Sequence, residues 1–202
     1  MTRSDSNIAW LAVATHVVAM AAMLLLLREG LPPAADDVRI EYLVTHRAAW
    51  TCGWLAWQLA VLSLVAFYVV LARRFRGAWS FAALAFATAG AAIDIATQVR
   101  YIAILPNLRG DAFALLDREL EAMTGHAANG LYTVAFVIFV LAGRRELPRF
   151  ALALAGPVAA GGFALAIGAL QHNARVEIVS SAILFPLFVL WLIIVARWLR
   201  NE

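Results

Sequence analysis

The stretch TCGWLAWQLAVLSLVAFYVVLARRFR, residues 51–76, carries no charge until Arg73, Arg74 and Arg76 close it. About 20 predominantly apolar residues in helical conformation cross a ~30 Å hydrocarbon core. A run of that length ending on an arginine cluster therefore reads as a membrane helix stopped at a charged surface. The same reading repeats along the chain. Spans are expected at about 8–27, 48–72, 77–104, 126–143, 148–171 and 176–199, with Pro157 and Pro186 inside the fifth and sixth. Membrane helices tolerate such prolines. The expected fold class is all-α, a polytopic six-helix bundle forming one transmembrane domain over 1–202.

Composition excludes the main alternatives. The chain of 202 residues is 64% hydrophobic and 14% charged, whereas soluble domains are about half apolar and about a quarter charged. Little remains for a separate water-soluble domain. The N-terminal MTRSDSN lacks a signal-peptide pattern, so the first apolar stretch is read as the first span. Cys52 is the one cysteine, which excludes an intrachain disulfide and a cysteine-based metal site and suggests a small packing residue. All 16 basic residues are Arg, and the net charge of +3 comes from residues flanking the spans. That distribution points to membrane lipids as surroundings and away from nucleic acid.

Charge also orients the chain. Arg73, Arg74 and Arg76, then Arg144, Arg145 and Arg149 against Glu146, then Arg197 and Arg200 against Glu202, fall in alternate segments. With the balanced Arg3 and Asp5, that side carries +6. The opposite segments 28–47, 105–125 and 172–177 sum to −3. Positive-inside bias places both termini in the cytoplasm and the acidic loops outside. Trp10, Trp79 and Trp198 would then mark the inner interface, and Trp50, Trp54 and Tyr101 the outer one.

Two loops are expected to carry structure. Segment 28–47 suggests a short helix through Val38, Tyr42 and Thr45 after the stop at Leu31-Pro32-Pro33. Segment 105–125 places Phe113, Leu116, Leu120 and Met123 on one face, which suits a helix lying on the outer membrane surface, or alternatively a lid over a pocket. Gly156, Ala160, Ala164 and Gly168 form a four-residue ridge for close helix packing, within the bundle or in a homo- or hetero-oligomer. Ala83, Ala87 and Ala91 form a weaker one.

Polar residues inside spans are costly and so mark candidate sites. Asp94, Gln98 and Tyr101 share a face of the third span near its outer end, with Arg100 about a quarter-turn round. His126, Asn129 and Thr133 share a face of the fourth. Gln171 and His172 end the fifth, and Glu177, Ser180 and Ser181 begin the sixth. His16 and Gln58 lie near the midplane, each the natural hydrogen-bond partner of the other. With the Trp50, Trp54 and Trp57 stripe, these residues suggest an outward-facing polar pocket walled by aromatics and floored by His16 and Gln58. Asp94 and His126 are the candidate catalytic groups. His16, Trp54, Trp57, Gln58, Gln98, Tyr101, Asn129 and Ser180 are the candidate ligand contacts. The competing reading makes Asp94 and Arg100 a structural ion pair and leaves the histidines as wet helix ends.

No cofactor and no metal are expected. His126 and His172 lie at similar depth but form no multi-helix haem pattern, and His46, His126, His172 and Glu177 lack the close spacings of a metal site. The absence of Lys excludes a retinal Schiff base. Acid–base chemistry on a small lipid-like or isoprenoid-like molecule remains, because a carboxyl in a partly dry pocket can hold a proton while Trp faces stabilise a cationic intermediate. An accessory subunit of a membrane complex, or a small transporter working as an oligomer, are the alternatives. Finally, Glu146-Leu147-Pro148-Arg149-Phe150 before a Gly/Ala-rich span, with Asn129-Gly130-Leu131-Tyr132 upstream, resembles a family of small bacterial membrane proteins known only as a domain of unknown function. The resemblance covers 126–170 and implies a bacterial inner-membrane protein, with no activity attached.

Overall fold

The structure, a computed structural model, describes residues 3–201. Met1, Thr2 and Glu202 lie outside the described residues, as does the side chain of Arg3, so their share of the charge balance rests on sequence. The helices are α1 (Arg3–Ala22), α2 (Asp36–Thr45), α3 (Arg47–Arg74), α4 (Ala78–Ala103), α5 (Gly110–Glu121), α6 (Asn129–Ala142), α7 (Arg149–Leu170) and α8 (Ala174–Asn201). Six stretches are long and apolar enough to cross a membrane: Asp5–Gly30, Arg47–Arg74, Ala78–Asn107, Gly110–Ala142, Arg149–Leu170 and Ala174–Asn201. The all-α six-helix bundle expected from hydropathy is thus the fold. Large apolar side chains such as Leu25, Trp79 and Phe150 remain on its outside. That surface suits lipid and would be untenable in water.

Neighbours in sequence are neighbours in space. α1 packs on α3, α3 on α4, α4 on α6, α6 on α7 and α7 on α8, and α8 returns to α1, closing a ring. α3 is the most enclosed span, with 56% of its apolar window buried against 28–39% for the others. The tight turn into α4 uses Gly77 at φ +144°, a conformation that side chains rarely adopt. One end of the bundle carries the arginine segments and the other the acidic loops. They are called here the arginine end and the acidic end.

The two ends pack differently. At the arginine end, Phe67, Tyr68, Phe136, Phe139, Phe188 and Trp191 form one continuous aromatic core with the neighbouring aliphatics. Trp191 meets Phe136 edge-on at 4.9 Å and Tyr68 meets Phe139 at 4.9 Å, ordinary aromatic pair distances. At the acidic end a second cluster gathers Leu27, Leu43, Trp50, Trp54, Trp57, Tyr101 and Phe113. Trp50, Trp54 and Tyr101 were expected as interfacial anchors, but they are buried. The Trp50 indole donates to the Tyr101 carbonyl at 2.8 Å, and Trp54 stacks on the Tyr101 ring at 4.4 Å. Protein partners replace the headgroup region for these three.

The segment 105–125 is the largest departure from expectation. α5 is not a separate helix with a lipid-facing apolar side: it runs through a π-helical segment, Ala122–Ala128, into α6, within the single long apolar stretch Gly110–Ala142. The reason lies in its apolar face. Phe113 and Leu120 are fully buried under α2 and α4, where lipid contact had been expected. Arg39 of α2 completes the attachment. Its guanidinium pairs with Asp117 at 2.6 Å and with Asp36 at 3.3 Å, donates to the Gly30 carbonyl at 3.1 Å, and lies 5.2 Å from the Phe113 ring centre.

Two smaller expectations change as well. Cys52 is exposed on α3 and is not part of the packed core. The Gly156–Gly168 ridge is not one packing seam: a Cβ at Gly156 would meet open space, whereas Gly168 sits against Val176 and Glu177 of α8. The tight approaches of α7 use the neighbouring face. A Cβ on Gly162 would collide with Thr133 of α6, and one on Gly161 would press the Leu184 backbone of α8.

The Arg39–Asp117 pair should fasten the acidic-end cap. Removing one partner of a buried pair leaves an uncompensated charge, at a cost of about 3–5 kcal/mol. Arg39→Met should therefore lower the melting temperature in detergent clearly. Adding Asp117→Leu to the same chain should recover most of the loss, because an apolar pair of similar volume replaces the ions.

Candidate functional site

Asp94 stands on α4, about sixteen residues and so roughly 24 Å along the helix from the arginine end. Its side chain is buried. One carboxylate oxygen accepts from the Thr124 hydroxyl in a very short hydrogen bond, and the other accepts from the Tyr132 hydroxyl at 3.4 Å. Gln98, one turn further along α4, lines the same cavity. Among the described residues, no cationic side chain pairs with Asp94. Arg100 points elsewhere, to Glu119 of α5 at 2.6 Å, so the Asp94–Arg100 ion pair does not form.

The π-helical segment makes this arrangement possible. Hydrogen bonds of the i→i+5 kind turn more residues per turn than an α-helix does, and such bulges recur at functional sites. Here the segment brings Thr124 to Asp94, while Asn129 donates to the Thr124 carbonyl at 2.9 Å. Small residues on both neighbours let it fit. A Cβ at Gly125 would lie 2.4 Å from the Ala169 Cβ of α7, and one at Gly90 of α4 would lie 3.1 Å from both the Ala128 carbonyl and the Tyr132 ring.

Asp94 lines a cavity of about 130 Å³ between the two hydrophobic clusters. His16, Gln98, Thr124, Asn129, Tyr132 and Thr133 supply its other polar groups, and Trp54, Trp57, Tyr68, Phe136, Phe185 and Phe188 its aromatic wall. A larger vestibule of about 920 Å³ opens at the acidic end. Trp54, Trp57, Thr124 and Phe185 line both spaces, so the two are separated only by those side chains. The vestibule lies where α1 and α8 part. They touch through Ser6, which donates to the Ala196 carbonyl at 3.3 Å, and through His16 against Phe188 at 5.4 Å. Towards the acidic end, Met20, Met23 and Leu24 face the space from one side and Ile178, Ser181 and Ala182 from the other. Leu24 and Ile178 are also exposed on the bundle surface, which gives the vestibule an apolar lip.

Of the residues expected at the site, the structure gathers Asp94, His16, Trp54, Trp57, Gln98 and Asn129 around the inner cavity, with Tyr101 in the vestibule. Three fall outside both spaces. His126 turns to α7, where its Nδ1 meets the Ala166 carbonyl at 3.0 Å and ties two helices together. It is no candidate for catalysis in this geometry. Gln58 does not meet His16, whose Nδ1 instead bonds the Ala12 carbonyl of its own helix at 2.8 Å. Because a carbonyl only accepts, that nitrogen carries the hydrogen, and in a neutral ring Nε2 is left as an acceptor. Ser180 is buried but lines neither space, and its neighbour Ser181 faces the vestibule.

Thr124, Tyr132 and Tyr68 belong to the site without having been singled out. Thr124 falls in the π-helical segment, where regular helical spacing misplaces faces, and the tyrosines read as ordinary aromatic packing. A mid-span link between Thr15 and Ser63 at 2.6 Å, joining α1 to α3, was likewise not anticipated.

Fold and site together define a multi-pass helical membrane protein with a polar cavity inside the bundle. No family model, curated protein or solved structure matches the chain, so its function is read from this geometry. No group of three or more His, Cys, Asp or Glu among the described residues is placed to hold a metal ion. What the cavity offers is a carboxyl hydrogen-bonded to two hydroxyls, with amides, an imidazole and aromatic side chains around the same space.

These contacts make a specific coupling pattern testable by thermal denaturation. In double-mutant cycles, Asp94→Asn and Arg100→Gln should be additive within about 0.5 kcal/mol, as expected of groups with no shared partner. Asp94→Asn and Thr124→Val should couple by at least about 0.5 kcal/mol. The reverse pattern would restore the ion-pair reading.

Proposed function

We propose that the protein takes a small lipid-like or isoprenoid-like molecule from the bilayer and holds its polar end at Asp94 for proton transfer. The observation that supports this most is that the two spaces adjoin, with Trp54, Trp57, Thr124 and Phe185 forming the wall they share. An apolar vestibule with a lip on the lipid-facing surface leads past two tryptophans to a buried carboxyl. Ligand sites are commonly about 300–1,000 Å³, mostly apolar, with a few converging polar groups, and the vestibule with its inner cavity has that character. Asp94 serves as the acid–base group. Tyr132 and Thr124 hold its carboxyl, and the tryptophan faces favour positive charge developing on the substrate.

The arginine segments assign the sidedness. Positive-inside bias sets the arginine end, and with it both termini, in the cytoplasm. The vestibule then opens on the outer side of a bacterial inner membrane. Periplasmic reporter fusions should be silent at residues 75 and 202 and active at residue 109.

Organic extraction of the purified protein followed by mass spectrometry tests the ligand reading. The native chain should release an apolar molecule. Ala182→Trp, which fills the vestibule from an exposed position, should release none while melting at the same temperature. Asp94→Asn should hold an isomer of equal mass but different retention time and fragmentation if Asp94 transforms its ligand by proton transfer, and the identical molecule if it only binds. A native chain that releases nothing would contradict the proposal.

A further inference from the structure

We infer that the molecule bound at Asp94 is a cationic amphiphile, with a protonated amine and a neighbouring oxygen atom on a single apolar chain. This rests on the ligand-binding reading above and names the class of ligand. Charge is the first argument. Asp94 is the one acidic group lining the inner cavity, and no Arg lines it. The vestibule adds Glu29, Asp117, Glu121 and Glu177 against Arg28 alone. Asp117 is matched by Arg39, yet the balance along the whole route stays negative. A carboxylate or phosphate headgroup would enter a route whose charge is net negative and end against Asp94, whereas an ammonium group would meet its complement at the bottom.

The walls give the second argument. Trp54, Trp57, Tyr68 and Tyr132 line the same cavity as the carboxyl, and aromatic faces attract a desolvated cation. Three of the polar atoms on these lining residues also lack a protein partner: the indole nitrogens of Trp54 and Trp57 and the Oε1 of Gln98. Each belongs to a side chain that is nine-tenths or more buried. Buried polar groups are normally hydrogen-bonded, so unpartnered atoms on residues that line a cavity point to a missing partner, which a small turn of each side chain would let a ligand supply. Their chemistry is asymmetric. Gln98 Oε1 needs a donor, which an ammonium group supplies along with its bond to Asp94. The two indole N–H groups need an acceptor, which an ammonium group cannot provide and a hydroxyl or ether oxygen beside it can. A plain alcohol would satisfy the indoles and leave the charge of Asp94 unmatched.

Four probes of equal chain length separate these possibilities: 2-aminododecan-1-ol, dodecylamine, dodecan-1-ol and dodecanoate. Each is titrated calorimetrically into the full chain in lipid nanodiscs at neutral pH, with empty nanodiscs subtracted. Dodecylamine should bind at least about tenfold more tightly than dodecan-1-ol, and the amino alcohol more tightly still. Asp94→Asn should erase the preference for amine over alcohol. Trp54→Phe and Trp57→Phe keep an aromatic face but lose the N–H, and should erase only the advantage of the amino alcohol over dodecylamine. Should Asp94→Asn fail to fold, the ranking of probes on the native chain still decides. If dodecan-1-ol or dodecanoate matches the amine, and Ala182→Trp blocks it, the cationic inference falls while the lipid-like pocket stands. If the amine preference survives Asp94→Asn, the inference also falls. If no probe binds saturably, both readings fall together.

Discussion

A carboxyl group inside an apolar helix bundle must be satisfied where it stands, since leaving it unpaired costs several kcal/mol, on the order of the stability of a small domain. Asp94 meets that constraint with hydrogen-bond donors and no counter-cation. Much of the acidic half follows from it. Thr124 reaches the carboxyl from the π-helical segment, and Tyr132 reaches it from the first turns of α6. Gly90 and Gly125 allow that segment to lie against α4 and α7, where any side chain would hold it away. The irregular stretch of the fourth span is therefore the part of the fold that serves the carboxyl. A regular helix there would present a different face to α4.

The division of the bundle into a solid half and an open half has a similar physical basis. In the arginine half, large aromatics from α3, α6 and α8 interdigitate and leave no room, so α1 and α8 are drawn together over them. In the acidic half the aromatics come chiefly from α3: Trp50 and Trp54 pack on Tyr101 of α4, and Trp57 alone reaches across to Phe185 of α8, at 5.0 Å. The gap this leaves between α1 and α8 is the vestibule. Pro186 adds to the asymmetry. It cannot donate to the carbonyl one turn before it, at Ala182, and both residues line the vestibule wall. The cap of α2 and α5, joined through Arg39 and Asp117, covers the top of the second cluster and leaves the side open.

The bundle itself was legible in the sequence because membrane spans announce themselves through length and composition, quantities that neighbouring helices do not alter. The site was legible in part. Asp94, Gln98 and the tryptophan stripe lie on regular helices, where spacing gives the shared face directly. His126 and Asn129 were assigned to one face by the same spacing. The π-helical segment begins before His126 and ends at Ala128, so Asn129 and Thr133 remained on the cavity and His126 did not. His16 and Gln58 were paired by depth, but depth carries no rotational information about two different helices. Arg100 was set against Asp94 because both lie on α4. Glu119 won it because α5 turned out to stand over α4, a tertiary fact with no local signature. Amphipathic α5 shows the same limit, since an apolar face reads alike whether lipid or protein covers it.

The claim on which the account depends is that Asp94 forms the floor of a route open to the bilayer between α1 and α8. An experimental structure of the full chain in lipid nanodiscs measures this directly. The account predicts elongated non-protein density in the vestibule, entering between Leu24 and Ile178 and ending within hydrogen-bonding distance of the Asp94 carboxyl. A structure in which α1 closes against α8 along its whole length, or in which Asp94 turns from Thr124 and Tyr132 towards Arg100, would contradict it.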